Sequence, residues 1–68
     1  MEYIVTSCGE EWILTDDKDM AMEEFGLAVL QVTRIAKNLS GEGISETIGC
    51  ELMVNGVLDR WFTQTIMP

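Results

Sequence analysis

One apolar stripe constrains this chain more than any other feature. Met22, Phe25, Ala28, Val29, Val32, Ile35, Ala36 and Leu39 recur at intervals of three and four, which sets them on one face of an α-helix. The spacing predicts a helix over residues 17–39, a rod of about 34 Å at ~1.5 Å per residue. Asp16 or Asp17 can cap its start, because an aspartate oxygen accepts from the free N–H groups of the first turn. Asp19, Glu23 and Glu24 lie toward the positive end of the helix dipole, and Arg34 and Lys37 toward the negative end. Ser40-Gly41 supplies the stop, with Gly41 able to adopt the left-handed conformation.

The segments on either side read as β-hairpins. YIVTS and EWILT, within residues 3–15, are rich in β-branched and aromatic residues. A two-residue turn at Gly9-Glu10, with glycine first as in type II′, pairs Ser7 with Trp12 and Val5 with Leu14. Tyr3, Val5, Trp12 and Leu14 then share one face, and Ile4, Thr6, Cys8, Glu11, Ile13 and Thr15 the other. The second hairpin, residues 46–67, turns at Asn55-Gly56, a strong hairpin signal because both residues tolerate positive φ. It pairs Val54 with Val57, Leu52 with Asp59, Cys50 with Trp61 and Ile48 with Thr63, an apolar face for the helix. The other face sets Glu51 against Arg60 and Phe62 against Gly49. The expected fold is α+β with element order ββαββ. One long helix packs on a four-stranded antiparallel sheet built from two hairpins, in a single small domain over residues 1–68. Strand order is left open.

A chain of 68 residues buries only about 60% of its unfolded surface. Domains of this size often gain stability from disulfides, metals or oligomerisation. At 47% hydrophobic residues the chain is nevertheless too apolar for disorder. Its two cysteines, Cys8 and Cys50, leave one disulfide open. No charged-then-apolar leader opens the sequence, and its longest apolar run, Leu27 to Leu30, is far short of a membrane span. An intracellular, cytoplasmic protein with reduced thiols is expected.

Charge is the main functional signal. The formal net charge is −8, which disfavours direct binding to nucleic acid or an anionic membrane. Residues 1–24 hold eight acids and one base, a net −7, and residues 25–68 hold four acids and three bases, a net −1. Helix capping accounts for Asp16, Asp17 and Asp19, but less well for Glu10, Glu11, Glu23 and Glu24. These seven residues are the candidate partner-binding set. Carboxylates so placed can imitate the phosphates of nucleic acid and occupy a Lys/Arg groove on another protein.

Other chemistry finds little support. Asp17-Lys18-Asp19 is a fragment of a calcium-like spacing without the glycine and distal glutamate of an EF-hand. Zinc would have to rely on carboxylates in a chain that lacks histidine. Cys8 has no histidine to activate it, and Cys50 falls on the buried face as a small hydrophobe. Neither an enzyme, nor a cofactor, nor a metal site is expected.

In size, charge and lack of catalytic residues the chain resembles the short acidic inhibitors that phages and mobile elements encode against host defence systems, anti-CRISPR proteins among them. The resemblance implies a protein–protein inhibitor or modulator that masks a basic nucleic-acid-binding surface. The alternative is a homodimeric structural or regulatory module whose interface is apolar, built from Leu27, Leu30, Met53, Leu58 and Phe62 or from a sheet edge. Trp12 and Trp61 are expected in the core.

Overall fold

A computed structural model describes all residues, 1–68. Strand β1 (Tyr3–Ser7) and strand β2 (Glu10–Thr15) are followed by helix α1 (Lys18–Leu39), then strands β3 (Glu46–Val54) and β4 (Val57–Ile66). The helix packs on one face of a four-stranded antiparallel sheet, the α+β, ββαββ fold expected from the sequence. Strand order is β2-β1-β3-β4. The helix thus carries the chain from an edge strand back to the middle of the sheet, and β1 meets β3 as its second neighbour.

The helix begins at a capped aspartate. Asp17 Oδ1 accepts the Met20 N–H at 3.1 Å, and Thr15 Oγ1 accepts the Asp17 N–H at 3.1 Å, which fixes the angle at which β2 enters the helix. Gly41, just beyond the C-cap Ser40, has φ +85°, the left-handed stop that glycine makes at little cost. Asn55 clamps the second hairpin's turn to the start of β1. Its N–H donates to the Glu2 carbonyl and its Oδ1 accepts the Glu2 N–H, both at 2.8 Å.

Both hairpins depart from the expected register, and in both a β-bulge is the reason. The first turn is Cys8-Gly9 rather than Gly9-Glu10. Both of its residues have positive φ, 54° and 82°, the type I′ pattern whose twist matches right-handed strands. Ser7 therefore pairs with Glu10. Trp12 is then an extra residue without a partner, and Val5 faces Ile13 instead of Leu14. Ile13 packs against the core while Leu14 is turned outward and 54% exposed. In the second hairpin the extra residue is Asp59, so Leu52 faces Arg60 and Cys50 faces Phe62. Phe62 joins the core side and Trp61 points out, 64% exposed. Glu51 accordingly lies across from Trp61 rather than Arg60, and Gly49 across from Thr63 rather than Phe62. The shifted register turns Phe62 and Ile66 toward the helix, and Ile66 is fully buried there. The plain register would have offered Asp59, Trp61, Thr63 and Thr65 to the helix where the shifted one offers Arg60, Phe62, Gln64 and Ile66, so Phe62 stands in place of Trp61 and Ile66 in place of Thr65.

The core divides unequally between the layers. The helix contributes mostly small side chains, Ala21, Ala28 and Ala36 with Val32, whereas the sheet contributes Tyr3, Val5, Cys50, Leu52 and Ile66. Small residues let the helix axis approach the sheet closely, and the strands fill the volume. The Ser7 hydroxyl is buried on this face with no hydrogen-bond partner, a local cost of about 1–3 kcal/mol.

Candidate functional site

The seven candidate acids border the β2 side and the helix start. β2 is an edge strand with no neighbour beyond it, and Glu10 and Glu11 are both exposed. Alternation of side chains sends them to opposite faces of the sheet: Glu10 pairs with Ser7 on the helix side, and Glu11 with Thr6 on the outer side. Asp16 sits in the bend between β2 and α1. Asp17 is committed to the cap. Asp19 and Glu23 are exposed on the helix, with Glu23 two residues on from buried Ala21 and hence on the opposite, solvent side. Glu24 is half-buried, and its Oε2 accepts the Trp12 indole N–H at 3.4 Å. That bond ties β2 to the helix, and it places Trp12 at the rim of the core rather than within it, 37% exposed.

The structure therefore brings Trp12 and Glu24 together and leaves the remaining acids spread around one end and one edge of the molecule. Their charge stays uncompensated. The only salt bridge in the chain joins Arg60 to Asp59 at 3.6 Å, and none of the seven takes part. Lys18 is the sole base in their stretch of sequence. The bulge at Trp12 breaks the regular ladder of β2, a device that discourages another strand from adding to an edge. Side-chain carboxylates, rather than backbone pairing, are what this edge offers.

The outer face of the sheet carries a second feature, one that the sequence placed only in part. Leu14, Ile4, Met53 and Leu58 are consecutive cross-strand partners and form one apolar row across all four strands. The next row reads Glu11, Thr6, Glu51, Trp61. The surplus apolar residues expected on this face included Ile13 and Phe62, whereas the bulges put Leu14 and Trp61 there. Leu27 and Leu30 are exposed on the helix, in the other layer from Met53 and Leu58. The five residues expected to build one apolar interface are thus divided among the helix, the outer sheet face and, for Phe62, the core side.

The two cysteines have different surroundings. Cys8 is exposed in its turn, and Cys50 is 1% exposed. Burial pushes the Cys50 thiol above its ordinary pKa, reinforced by Cys8 and then by the Glu51 carboxylate. Neither has a base beside it that would make it a nucleophile. Iodoacetamide on the native protein should add one group, at Cys8, and reach Cys50 only after denaturation. Mass spectrometry of the alkylated protein checks this, and equal labelling of the two sites would contradict the buried position of Cys50.

Nowhere do three metal-ligating side chains gather, and no helix is long and apolar enough to cross a membrane. Comparison with known protein families, with characterised proteins and with solved structures finds no match.

Proposed function

We propose that this protein is a small acidic binding module that covers a basic surface of another protein. It acts as an inhibitor or modulator of a nucleic-acid-binding complex, in the manner of phage-encoded anti-defence proteins such as anti-CRISPRs. The observation that carries this reading is that none of the seven carboxylates forms a salt bridge. The chain's four bases could each pair with one of its acids, yet its one salt bridge lies elsewhere. Uncompensated charge of one sign destabilises a compact chain through self-repulsion and in return speeds encounter with an oppositely charged surface. The reading involves no catalytic step and no cofactor.

A pull-down with tagged protein from a bacterial lysate tests it, set beside the triple variant Glu10→Lys, Glu11→Lys, Glu23→Lys. The variant leaves Asp17 and Glu24 alone, because one caps the helix and the other holds Trp12. The expected result is capture of a nucleic-acid-binding protein that moderate salt releases, that added nucleic acid displaces and that the variant fails to retain. Capture of nothing but further copies of the chain, or equal capture by the variant, would refute the proposal. The first of those outcomes would favour the homodimeric reading, whose interface would be the Leu14–Ile4–Met53–Leu58 row.

A further inference from the structure

We infer that the shallow depression over Gly49, on the outer face of the sheet, is a socket for one arginine side chain of a basic partner protein. The inference rests on the acidic-surface reading and adds to it the place where that partner is gripped. The depression has a volume of about 280 Å³, and Thr6, Gly49, Glu51, Leu58, Trp61 and Thr63 line it. Small-molecule pockets run to ~300–1,000 Å³, so this one lies at the small end of that range and has room for a single side chain.

Its walls suit a guanidinium. Glu51 and Trp61 are direct cross-strand partners on β3 and β4, both exposed, so a carboxylate and an indole stand side by side. Gly49, two residues further along β3 on the same face, brings no side chain of its own to the floor. Arginine can stack its plane on an indole face while its forked N–H groups reach a carboxylate. Leu58, with the apolar row behind it, meets the aliphatic stem. An indole offers a large apolar area for burial, yet Trp61 is 64% exposed, and the plain register of the second hairpin would have turned it inward. The bulge at Asp59 instead delivers it to this face, beside Glu51.

Charge decides between occupants. The outer face bears Glu11 and Glu51 and no cation. Lys18, Arg34 and Lys37 belong to the helix, and Arg60 pairs with core residue Leu52 on the helix side. A second copy docked face to face would set four carboxylates against one another without a base among them. A basic partner meets the same row with opposite charge, and Glu11 continues this face to the acidic β2 edge.

The test titrates the full-length protein with hexa-arginine and hexa-lysine at physiological salt, following the Trp61 indole and Gly49 amide resonances by NMR. Hexa-arginine should bind roughly tenfold more tightly than hexa-lysine and shift both resonances. Trp61→Ala and the isosteric Glu51→Gln should each remove that preference, and both sites are exposed enough for the fold to survive. The Glu10→Lys, Glu11→Lys, Glu23→Lys variant should weaken both peptides alike and keep the preference. Equal affinity for the two peptides, or an unchanged preference in Trp61→Ala, overturns the socket while the acidic-surface reading stands. Failure of both peptides to bind overturns the socket and the acidic-surface reading together.

Discussion

Leu52→Ala is expected to remove about 2–5 kcal/mol of folding stability. A chain of this length has roughly 3–10 kcal/mol in total, so the variant should sit at or near the edge of unfolding. The reason lies in how the core is divided. Leu52 is 1% exposed and the largest of the fully buried side chains. It occupies the middle of the sheet, between Val5 on β1 and Arg60 on β4. The fully buried residues of the helix above it are alanines and one valine, with Met22, Phe25 and Val29 packed at the rim of the core, and the alanines are too small to fill the space that a lost isobutyl group would leave. Urea denaturation should show a much lower midpoint with little change in slope. A midpoint within experimental error of the parent would mean that the core is not organised around Leu52.

Gly49→Ala should destabilise the protein by about 1–3 kcal/mol, the opposite of what the bare substitution favours in a strand. A Cβ on Gly49 would lie 2.7 Å from the Phe62 carbonyl oxygen and 3.0 Å from Thr63 Cγ2. The nearer atom is backbone in the longest ladder of the sheet, so it cannot swing away as a side chain could. The overlap must be relieved by parting β3 from β4, and that outweighs the ~0.5–1 kcal/mol by which alanine normally exceeds glycine within a strand. Gly26→Ala is the matched control. Gly26 is exposed in the helix and a Cβ there would meet nothing within 4 Å, so alanine should stabilise the chain by about 1 kcal/mol. Denaturation midpoints moving in opposite directions for the two substitutions confirm the argument. Two shifts of the same sign would contradict the close β3–β4 approach.

The helix could be read from the chain because its signals are local. A three-four apolar period, an aspartate cap and a glycine stop each act within a turn or two, and the observed Lys18–Leu39 lies within a residue of the expected start. The Asn55-Gly56 turn was legible for the same reason, since positive φ is a property of the turn residues themselves, 50° and 80° here. The first turn was less so. Gly9 signalled a turn, but its partner proved to be Cys8, a residue that enters the left-handed region only because strand twist rewards a type I′ geometry. The candidate acids were likewise visible as charge, whereas their division between the sheet's two faces, the helix's solvent side and the Trp12 contact was not.

Composition and local pattern by themselves determined that this chain forms two hairpins around one amphipathic helix and carries nearly all its net negative charge in its first third. Which residues reach the core was decided in three dimensions. Each bulge inserts one unpaired residue, Trp12 or Asp59, and a one-residue slip exchanges the two faces of a strand. That slip sends Phe62 and Ile13 inward and Trp61 and Leu14 outward. No local rule places it, because its advantage exists only once the helix lies over the sheet and rewards the register that buries the more apolar side. Strand order was decided in the same way. β1 can stand beside β3 only after the helix has carried the chain back across, and that pairing sets Ile4 and Thr6 of the first hairpin against Met53 and Glu51 of the second to complete the outer face.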